Sequence, residues 1–332
     1  MRVINVPFKR LAAFSAAALA GTAVLTDRKS GFQGAAAERE FPPTGQFIEV
    51  NGRKVHAVVA GEGPDVVLIH GAGGNTREFT FNFIDRLTDR YRVIVFDRPG
   101  FGYTDRLSDD YDGAFTTTAE SPADQADMLQ AAARQLGADR PIVLGHSYGG
   151  SVALAWGLNH PENAAGVVNI AGPSHPWPGE LRAYYTVNGS ALGGALLSPV
   201  IAAFASQNRI KTAISGVFAP QDVPEGYIEH IGAALTLRLP SFRANARQVN
   251  SLRPHIVEMA PRYASEFKMP LEIVHGDKDE TVPLDIHSVP LKAAVPHANL
   301  TVLDGIGHMP HHANPDSIEA AIDRIAAQAG LR

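Results

Sequence analysis

The chain has 332 residues, 45% hydrophobic and 19% charged, which allows one large domain or two small ones and excludes a disordered protein. The absence of cysteine excludes disulfides, thiolate metal sites, iron–sulfur clusters and a cysteine nucleophile. A net charge of −5 without a long basic run argues against nucleic acid as a partner.

The N-terminal segment, 1–37, differs from the rest of the chain. Three basic residues within the first ten precede an uncharged apolar run at 11–25, which is typical of a signal peptide and short for a spanning helix. Ala35 and Ala37 offer a cleavage site, but charged residues separate them from the apolar run. An uncleaved membrane anchor is therefore a second interpretation of this segment, and a small buried helix is the third.

Both export interpretations place the protein in the cell envelope, either periplasmic or secreted, or anchored by its N-terminus. Residues 1–37 hold five of the 29 basic and one of the 34 acidic residues, so removing them lowers the net charge to −9. We therefore expect membrane contact only through 11–25, and only if that run is retained.

Strand and helix signals alternate along the body of the chain. Short β-branched runs predict strands at 47–52, 54–61, 65–71, 91–97, 141–146, 164–172, 271–276 and 300–305. Helical patterns occupy 76–90, 121–137, 151–160 and 314–328. The first two strands form a hairpin around Asn51-Gly52. The alternation predicts an α/β fold with a mostly parallel sheet flanked by helices.

One stretch, 173–269, contains no clear buried strand. It includes apolar helical runs such as 192–205, and a structureless loop of this length is implausible in a compact domain. We predict a helical lid at 173–269, inserted between two segments of the catalytic core, 38–172 and 270–332.

The strongest chemical signal is Gly145-His146-Ser147-Tyr148-Gly149, between a predicted strand and a helix. A G-x-S-x-G sequence at such a junction is typical of a nucleophile elbow, where glycines permit a sharp turn and the serine hydroxyl is exposed. A helix N-terminus there also faces developing negative charge. Ser147 is therefore the candidate nucleophile.

A serine nucleophile needs a base and a group that orients the base. His308 follows a predicted strand and precedes the last helix. Three carboxylates, Asp277, Asp279 and Glu280, compete for the third role after the strand at 271–276. The order Ser147, Asp279, His308 is that of α/β-hydrolases.

The body resembles the α/β-hydrolase superfamily, in its lidded branch of bacterial esterases, haloperoxidases and carbon–carbon bond hydrolases. The resemblance covers about 45–330 and rests on motifs at 70–74, 97–102 and 145–149 and on the late Asp279/His308 pair. It implies that the acid is Asp279, at the end of a G-x-x-D pattern, and that Asp277 is a turn residue. It also implies an oxyanion hole made by the backbone amides of Ala72 and Tyr148.

These residues predict a serine hydrolase for a small-molecule substrate, most simply an ester of a small or medium apolar acid or alcohol, without a metal or organic cofactor. A carbon–carbon bond hydrolase, an acyltransferase or a perhydrolase would use the same triad. Met309, where the carbon–carbon hydrolases usually carry an aromatic residue, counts against the first of these. A ligand-binding receptor without catalysis is the non-enzyme alternative.

Other motifs have plainer interpretations. Residues 97–100 are expected to form a structural turn. His311 and His312 follow His308 in an H-x-x-H-H pattern, but no acidic residue of the kind a zinc protease needs is near in sequence, so a solvated loop is expected. Large apolar residues of the lid, such as Tyr184, could line a substrate pocket or form the lid's own core.

Overall fold

The computed structural model describes residues 25–332. Most of the predicted leader, including nearly all of the apolar run at 11–25, lies outside the described residues. The strands are β1 Gln46–Val50, β2 Arg53–Ala60, β3 Asp65–Ile69, β4 Arg92–Phe96, β5 Ile142–His146, β6 Gly166–Ile170, β7 Leu271–Gly276 and β8 Asn299–Leu303. They form one sheet in the order β1-β2-β4-β3-β5-β6-β7-β8.

The sheet is parallel from β4 to β8, and β2 pairs antiparallel with both β1 and β4. The β1–β2 hairpin turns at Asn51-Gly52, where both residues have positive φ angles, as the sequence predicts. The predicted α/β fold with a mostly parallel sheet is confirmed.

Helices cover both faces of the sheet. They are α1 25–40, α2 Arg77–Thr80, α3 Pro122–Gln135, α4 Tyr148–Asn159, α5 Ala183–Gly189, α6 Ser198–Phe204, α7 Gln207–Phe218, α8 Tyr227–His230, α9 Ala233–Thr236, α10 Leu239–Met259, α11 Tyr263–Glu266, α12 Ser288–Ala294, α13 Pro310–Ala313 and α14 Pro315–Gln328. A π-helical turn, Gly193–Leu197, leads directly into α6.

The central strands are buried on both faces because their side chains alternate between two apolar clusters. Val67 and Ile69 of β3 join one cluster with Trp156 of α4, whereas Val66 and Leu68 join the other with residues of α14. These clusters hold the strands in register. They thereby also fix the positions of the loops that follow the carboxyl ends of the strands.

The segment 76–90 is not one helix. It contains α2 and a 3-10 turn at Ile84–Arg86. The aromatic run at 79–83 has low helix propensity. Its phenylalanines face different partners, since Phe79 and Phe83 enter the core and Phe81 packs against Tyr227.

Between β6 and β7 the described chain forms helices α5 to α11 and no strand. We call residues 173–269 the insertion; its role as a lid stays a prediction. Among residues 25–332 no single helix is long and apolar enough to cross a membrane, and one pair bent by 90°, Ala183–Gly189 with Gly193–Phe204, passes that test by length and composition only.

Helix α1 packs against the body of the protein. Ser30 and Ala37 are buried on its inner face. Glu38 forms an ion pair with Arg238, at the start of α10. The potential cleavage site at Ala35-x-Ala37 therefore lies in a helix that is part of the packed structure.

Candidate active site

Ser147 lies in the tight turn between β5 and α4. Its φ of 52° and ψ of −124° are a strained conformation for a residue with a side chain. A Cβ on Gly145 would come within 2.0 Å of the carbonyl oxygen of Gly149, and a Cβ on Gly149 within 2.2 Å of that of Ile69. Both glycines of the motif are therefore required sterically, as the elbow interpretation expects.

The structure brings the three predicted catalytic side chains together. His308 Nε2 lies 2.9 Å from Ser147 Oγ, and His308 Nδ1 lies 2.7 Å from Asp279 Oδ2. Because the carboxylate can only accept, Nδ1 carries the proton and Nε2 is free to accept the serine proton. This is the arrangement in which a histidine can act as general base toward a serine.

Asp279 is held by more than His308. Its Oδ1 accepts the backbone N–H groups of Thr281 and Val282 at 2.8 and 2.9 Å, and His275 Nε2 lies 3.0 Å from Oδ2. Burial alone would raise the pKa of Asp279, but His308, His275 and the Val282 amide hold it well below its usual range. Asp279 therefore remains an anion through the neutral pH range.

The two competing carboxylates do not reach the site. Asp277 Oδ1 accepts the backbone N–H of Gly305, and its Oδ2 pairs with exposed Lys278, as expected of a turn residue. Glu280 is exposed. The sequence analysis did not predict a contact between His275 and Asp279. Its position at the end of β7, four residues before Asp279, could have indicated one.

The loop predicted to supply an oxyanion amide lies directly beside the elbow. A Cβ on Gly71 would lie 3.0 Å from the Cβ of Ser147. The backbone N–H groups of Ala72 and Tyr148 donate to no group within residues 25–332. Two free donors beside the serine fit an oxyanion hole, which stays a prediction for these residues.

Similarity to known proteins shows the family of this chain. The family model "Alpha/beta hydrolase family" matches residues 66–321. The chain belongs to the α/β-hydrolase family. An uncharacterised protein of Mycobacterium tuberculosis is 27% identical over 289 residues, covering 86% of this chain and 81% of its own. A 2-hydroxy-6-oxononadienedioate/2-hydroxy-6-oxononatrienedioate hydrolase of Klebsiella pneumoniae is 28% identical over 308 residues, covering 86% and 96%.

Among solved structures, an enol-lactonase of Burkholderia xenovorans superposes with a TM-score of 0.66 at 15% identity, covering 85% of this chain and all of its own. The likeness at that identity concerns the fold. The family and the hydrolase relative show that this protein is a hydrolase enzyme with a small-molecule substrate.

Arg98 holds the loop that carries Gly71 and Ala72 in place. Its guanidinium donates to the carbonyl oxygens of His70 and Gly71 at 2.9 and 3.0 Å and lies 4.4 Å from the ring centre of Tyr148. Burial lowers the pKa of Arg98 to about 10, so the group stays cationic at neutral pH. The 97–100 segment is thus more than a turn, and only the fold brings its arginine beside the site.

The expectation of a solvated loop at His311 and His312 is wrong. Both side chains are buried, and their Nε2 atoms lie 2.8 and 3.0 Å from Oε1 of Glu78. Glu78 comes from α2, more than 230 residues earlier in the chain, so sequence proximity could not reveal it. Burial would raise the pKa of Glu78, but these two hydrogen bonds keep it well below its usual range.

Glu78, His311 and His312 are also a group whose ligand atoms converge closely enough for a metal ion. Each histidine donates its Nε2–H to the carboxylate, which leaves Nδ1 as an acceptor without a partner among the described residues. Binding a metal through Nε2 would move the proton to Nδ1 and bury two N–H donors without acceptors. The cluster therefore fits a hydrogen-bonded carboxylate better than a metal centre.

His146 connects this cluster to His308, the candidate base. Its Nε2–H donates to the carbonyl oxygen of His308 at 2.8 Å, and its ring centre lies 4.4 Å from that of His311. Burial, followed by the neighbouring His311 and His308, holds the pKa of His146 far below its usual range. A neutral His146 therefore supports the backbone of His308 from the elbow itself.

The insertion contacts the loops of the site, and three of these contacts lie next to the candidate residues. Thr236 donates to the carbonyl oxygen of Gly73 at 2.6 Å, next to the predicted oxyanion amide. Gln221 accepts the N–H of Gly307, which precedes His308. Met309, directly after His308, packs against Phe218 and other apolar residues of the insertion. Movement of the insertion would therefore affect both loops.

Proposed function

We propose that the protein is a serine hydrolase that cleaves carboxylic esters of small or medium apolar acids or alcohols. The observation that carries the proposal is the continuous hydrogen-bonded chain Ser147–His308–Asp279, with the free amides of Ala72 and Tyr148 beside the serine. An acyl carbonyl placed over Ser147 Oγ would present its oxygen to these amides.

The reaction follows from this geometry. Ser147 Oγ bonds to the carbonyl carbon while its proton passes to His308 Nε2, and the two amides bind the resulting oxyanion. Collapse of the intermediate breaks the bond to the alcohol oxygen, which takes the proton from His308. Water then attacks the acyl-enzyme with His308 as base, releasing the acid and the serine. Asp279 stabilises the transient imidazolium.

A fluorophosphonate probe and p-nitrophenyl esters of increasing chain length test the proposal. The wild-type protein should be labelled once and should hydrolyse the esters. Ser147→Ala should lose both properties, whereas Ser215→Ala, at an exposed serine of α7, should keep both. Full esterase activity in folded Ser147→Ala would refute the assignment. An unlabelled, folded wild-type protein would favour the binding-protein alternative.

Carbon–carbon bond hydrolysis is the second candidate, and the Klebsiella pneumoniae relative is the observation that favours it. The same triad would act on a vinylogous diketone. Met309 occupies the position where such enzymes usually carry an aromatic residue, and here it packs into the insertion. A higher kcat/KM on a ring-fission diketone than on every ester would establish this candidate. Transfer of the acyl group to an alcohol or peroxide would be seen by adding those acceptors.

We also propose that the N-terminus is retained as a membrane anchor in the cell envelope. Support comes from α1, because cleavage after Ala37 would remove a helix with buried Ser30 and Ala37. Mass spectrometry of protein from the membrane fraction should find the N-terminal segment intact. A soluble mature chain that begins near residue 38 would contradict the proposal.

A further inference from the structure

The insertion exposes an apolar surface that the proposed chemistry does not use. Seven large apolar side chains between residues 184 and 204 are 40–67% exposed. This apolar insertion surface consists of Tyr184, Val187, Leu192, Leu196, Leu197, Val200 and Phe204. Tyr184, Leu196, Leu197 and Phe204 are therefore not fully buried in a core of the insertion.

No side chain of this surface is charged. Leu192, Leu196, Val200 and Phe204 recur every four residues along the π-helical turn and α6, so they lie along one side of that helical segment. Residues 183–208 contain no charged side chain, and basic residues, Arg182 and Arg209, stand at the two ends. Large apolar patches on the surface of a soluble protein usually mark an interaction site.

The apolar insertion surface lies next to the end of the predicted anchor. The ammonium of Lys29, in α1, lies 3.8 Å from the ring centre of Phe204. Leu25, the last residue of the apolar run 11–25, precedes Lys29 by four residues, which is about 6 Å along a helix. Leu25 and Phe32 of the same helix are also highly exposed, at 69% and 71%.

We propose that the apolar insertion surface docks on the lipid bilayer, and that the enzyme takes its ester substrate from that bilayer. The inference rests on the proposed anchor and esterase activity. An anchor that enters the membrane at Leu25 would hold Phe204 within about one helical turn of the lipid. The basic residues at the rim would pair with anionic headgroups, and the leucines would enter the acyl region.

A second copy of the chain is the competing occupant. The bilayer is favoured because the surface has no charged side chain and the hydroxyl of Tyr184 is its one hydrogen-bonding side-chain group, so it offers little to fix a partner's orientation. It is also favoured because α1 ties this surface to the membrane-directed end of the chain.

The cysteine-free sequence allows a site-specific test in the full chain. Leu196→Cys places a thiol on the surface, and Val302→Cys places a matched control on β8, an exposed position at the opposite edge of the sheet from β1. Each variant is labelled with an environment-sensitive fluorophore and reconstituted into phosphatidylcholine/phosphatidylglycerol vesicles.

The label at 196 should shift to the blue, brighten about twofold or more and be quenched by doxyl-labelled lipid, since it enters an apolar phase. The label at 302 should not change. Equal, unquenched emission from both positions would overturn the proposal. A change at 196 that depends on protein concentration and occurs without lipid would identify a second copy as the occupant and would also overturn it.

Activity separates this inference from the proposed function. The double variant Leu192→Asp/Leu196→Asp should keep fluorophosphonate labelling and hydrolysis of a soluble short-chain ester. Hydrolysis of a long-chain ester embedded in the vesicles should fall by about tenfold or more, because two exposed leucines that would enter the lipid are replaced by charged side chains. Equal retention on both substrates would refute docking, and so would an equal loss on both in a variant that circular dichroism shows to be folded. No activity in the wild-type protein on either ester would instead refute the esterase assignment.

Discussion

Tyr227, in the insertion, donates its phenolic hydrogen to Oε2 of Glu78 across 2.7 Å, and both side chains are buried. The other oxygen of Glu78 accepts the Nε2–H groups of His311 and His312, which follow the catalytic candidate His308 by three and four residues. One carboxylate therefore links the insertion to the segment that carries the proposed base.

We predict that Tyr227→Phe destabilises the folded protein. It leaves one oxygen of the buried Glu78 carboxylate without its donor, which should lower the free energy of unfolding by about 1–3 kcal/mol. Tyr184→Phe is the matched control, because Tyr184 is 46% exposed and should change stability little. Urea unfolding monitored by circular dichroism measures both. Equal stability of the two variants would show that Glu78 does not need the phenol.

We predict that Asp279→Asn and Asp277→Asn differ in activity, because Asp279 is the proposed catalytic carboxylate and Asp277 lies in a turn. In Asp279→Asn the new side-chain amide could donate to Nδ1 and so favour the wrong tautomer of His308, which should lower kcat by about 10³–10⁴-fold with little change in KM. Asp277→Asn should leave kcat within about twofold, since that carboxylate contacts Gly305 and Lys278 only. Steady-state kinetics on a p-nitrophenyl ester decides. A similar kcat for both variants would reject Asp279 as the acid.

The sequence predicted the parts of the molecule that depend on local pattern. Short β-branched runs predicted the parallel strands, and the glycines around Ser147 predicted the elbow. Each of these patterns is complete within a few consecutive residues. The resemblance to α/β-hydrolases then selected Asp279 among three nearby carboxylates, and the side chains of Ser147, Asp279 and His308 meet in the structure.

What the sequence did not predict depends on contacts between distant segments. Glu78 contacts His311 only because α2 and α13 both lie at the carboxyl ends of the strands. No sequence spacing therefore predicts the pair. Arg98 reaches the carbonyl of Gly71 across neighbouring strands β4 and β3. A charged side chain in a turn motif is usually solvated. The sequence therefore predicted a plain turn at 97–100 and no role for Arg98 beside the site.

We predict that Arg98→Lys impairs catalysis more than binding. A lysine has a single point charge and cannot donate to the carbonyl oxygens of His70 and Gly71 in the fork geometry of arginine. The loop carrying the Ala72 amide should then lose its fixed position, and kcat should fall by about 10²-fold, the scale of losing one oxyanion donor.

Arg134→Lys, at an exposed arginine of α3, is the control and should behave as wild type. A raised KM with unchanged kcat in Arg98→Lys would mean that the loop binds substrate but does not stabilise the transition state. Circular dichroism of both variants checks that the fold is retained.

The last prediction concerns stability in mild acid. The pKa values of His70, His287 and His311 are each lowered to about 4, mainly by burial, against about 6.5 in an unfolded chain. Between these values the unfolded state binds more protons than the folded state, so the free energy of unfolding falls as the pH falls. The lowered pKa values of Asp279 and Glu78 act only below about pH 4.5, where unfolded carboxylates begin to protonate.

We therefore expect the free energy of unfolding to be constant above about pH 7 and to drop by several kcal/mol, on the order of 1–3 per histidine, between about pH 6.5 and pH 4.5. Urea unfolding at closely spaced pH values measures the slope. His70→Gln should be less stable at about pH 7.5, because His70 accepts the backbone N–H of Arg98, yet its stability should fall less steeply with acid than that of the wild type. A wild-type stability that stays flat down to about pH 4.5 would mean that these histidines are not buried as neutral rings.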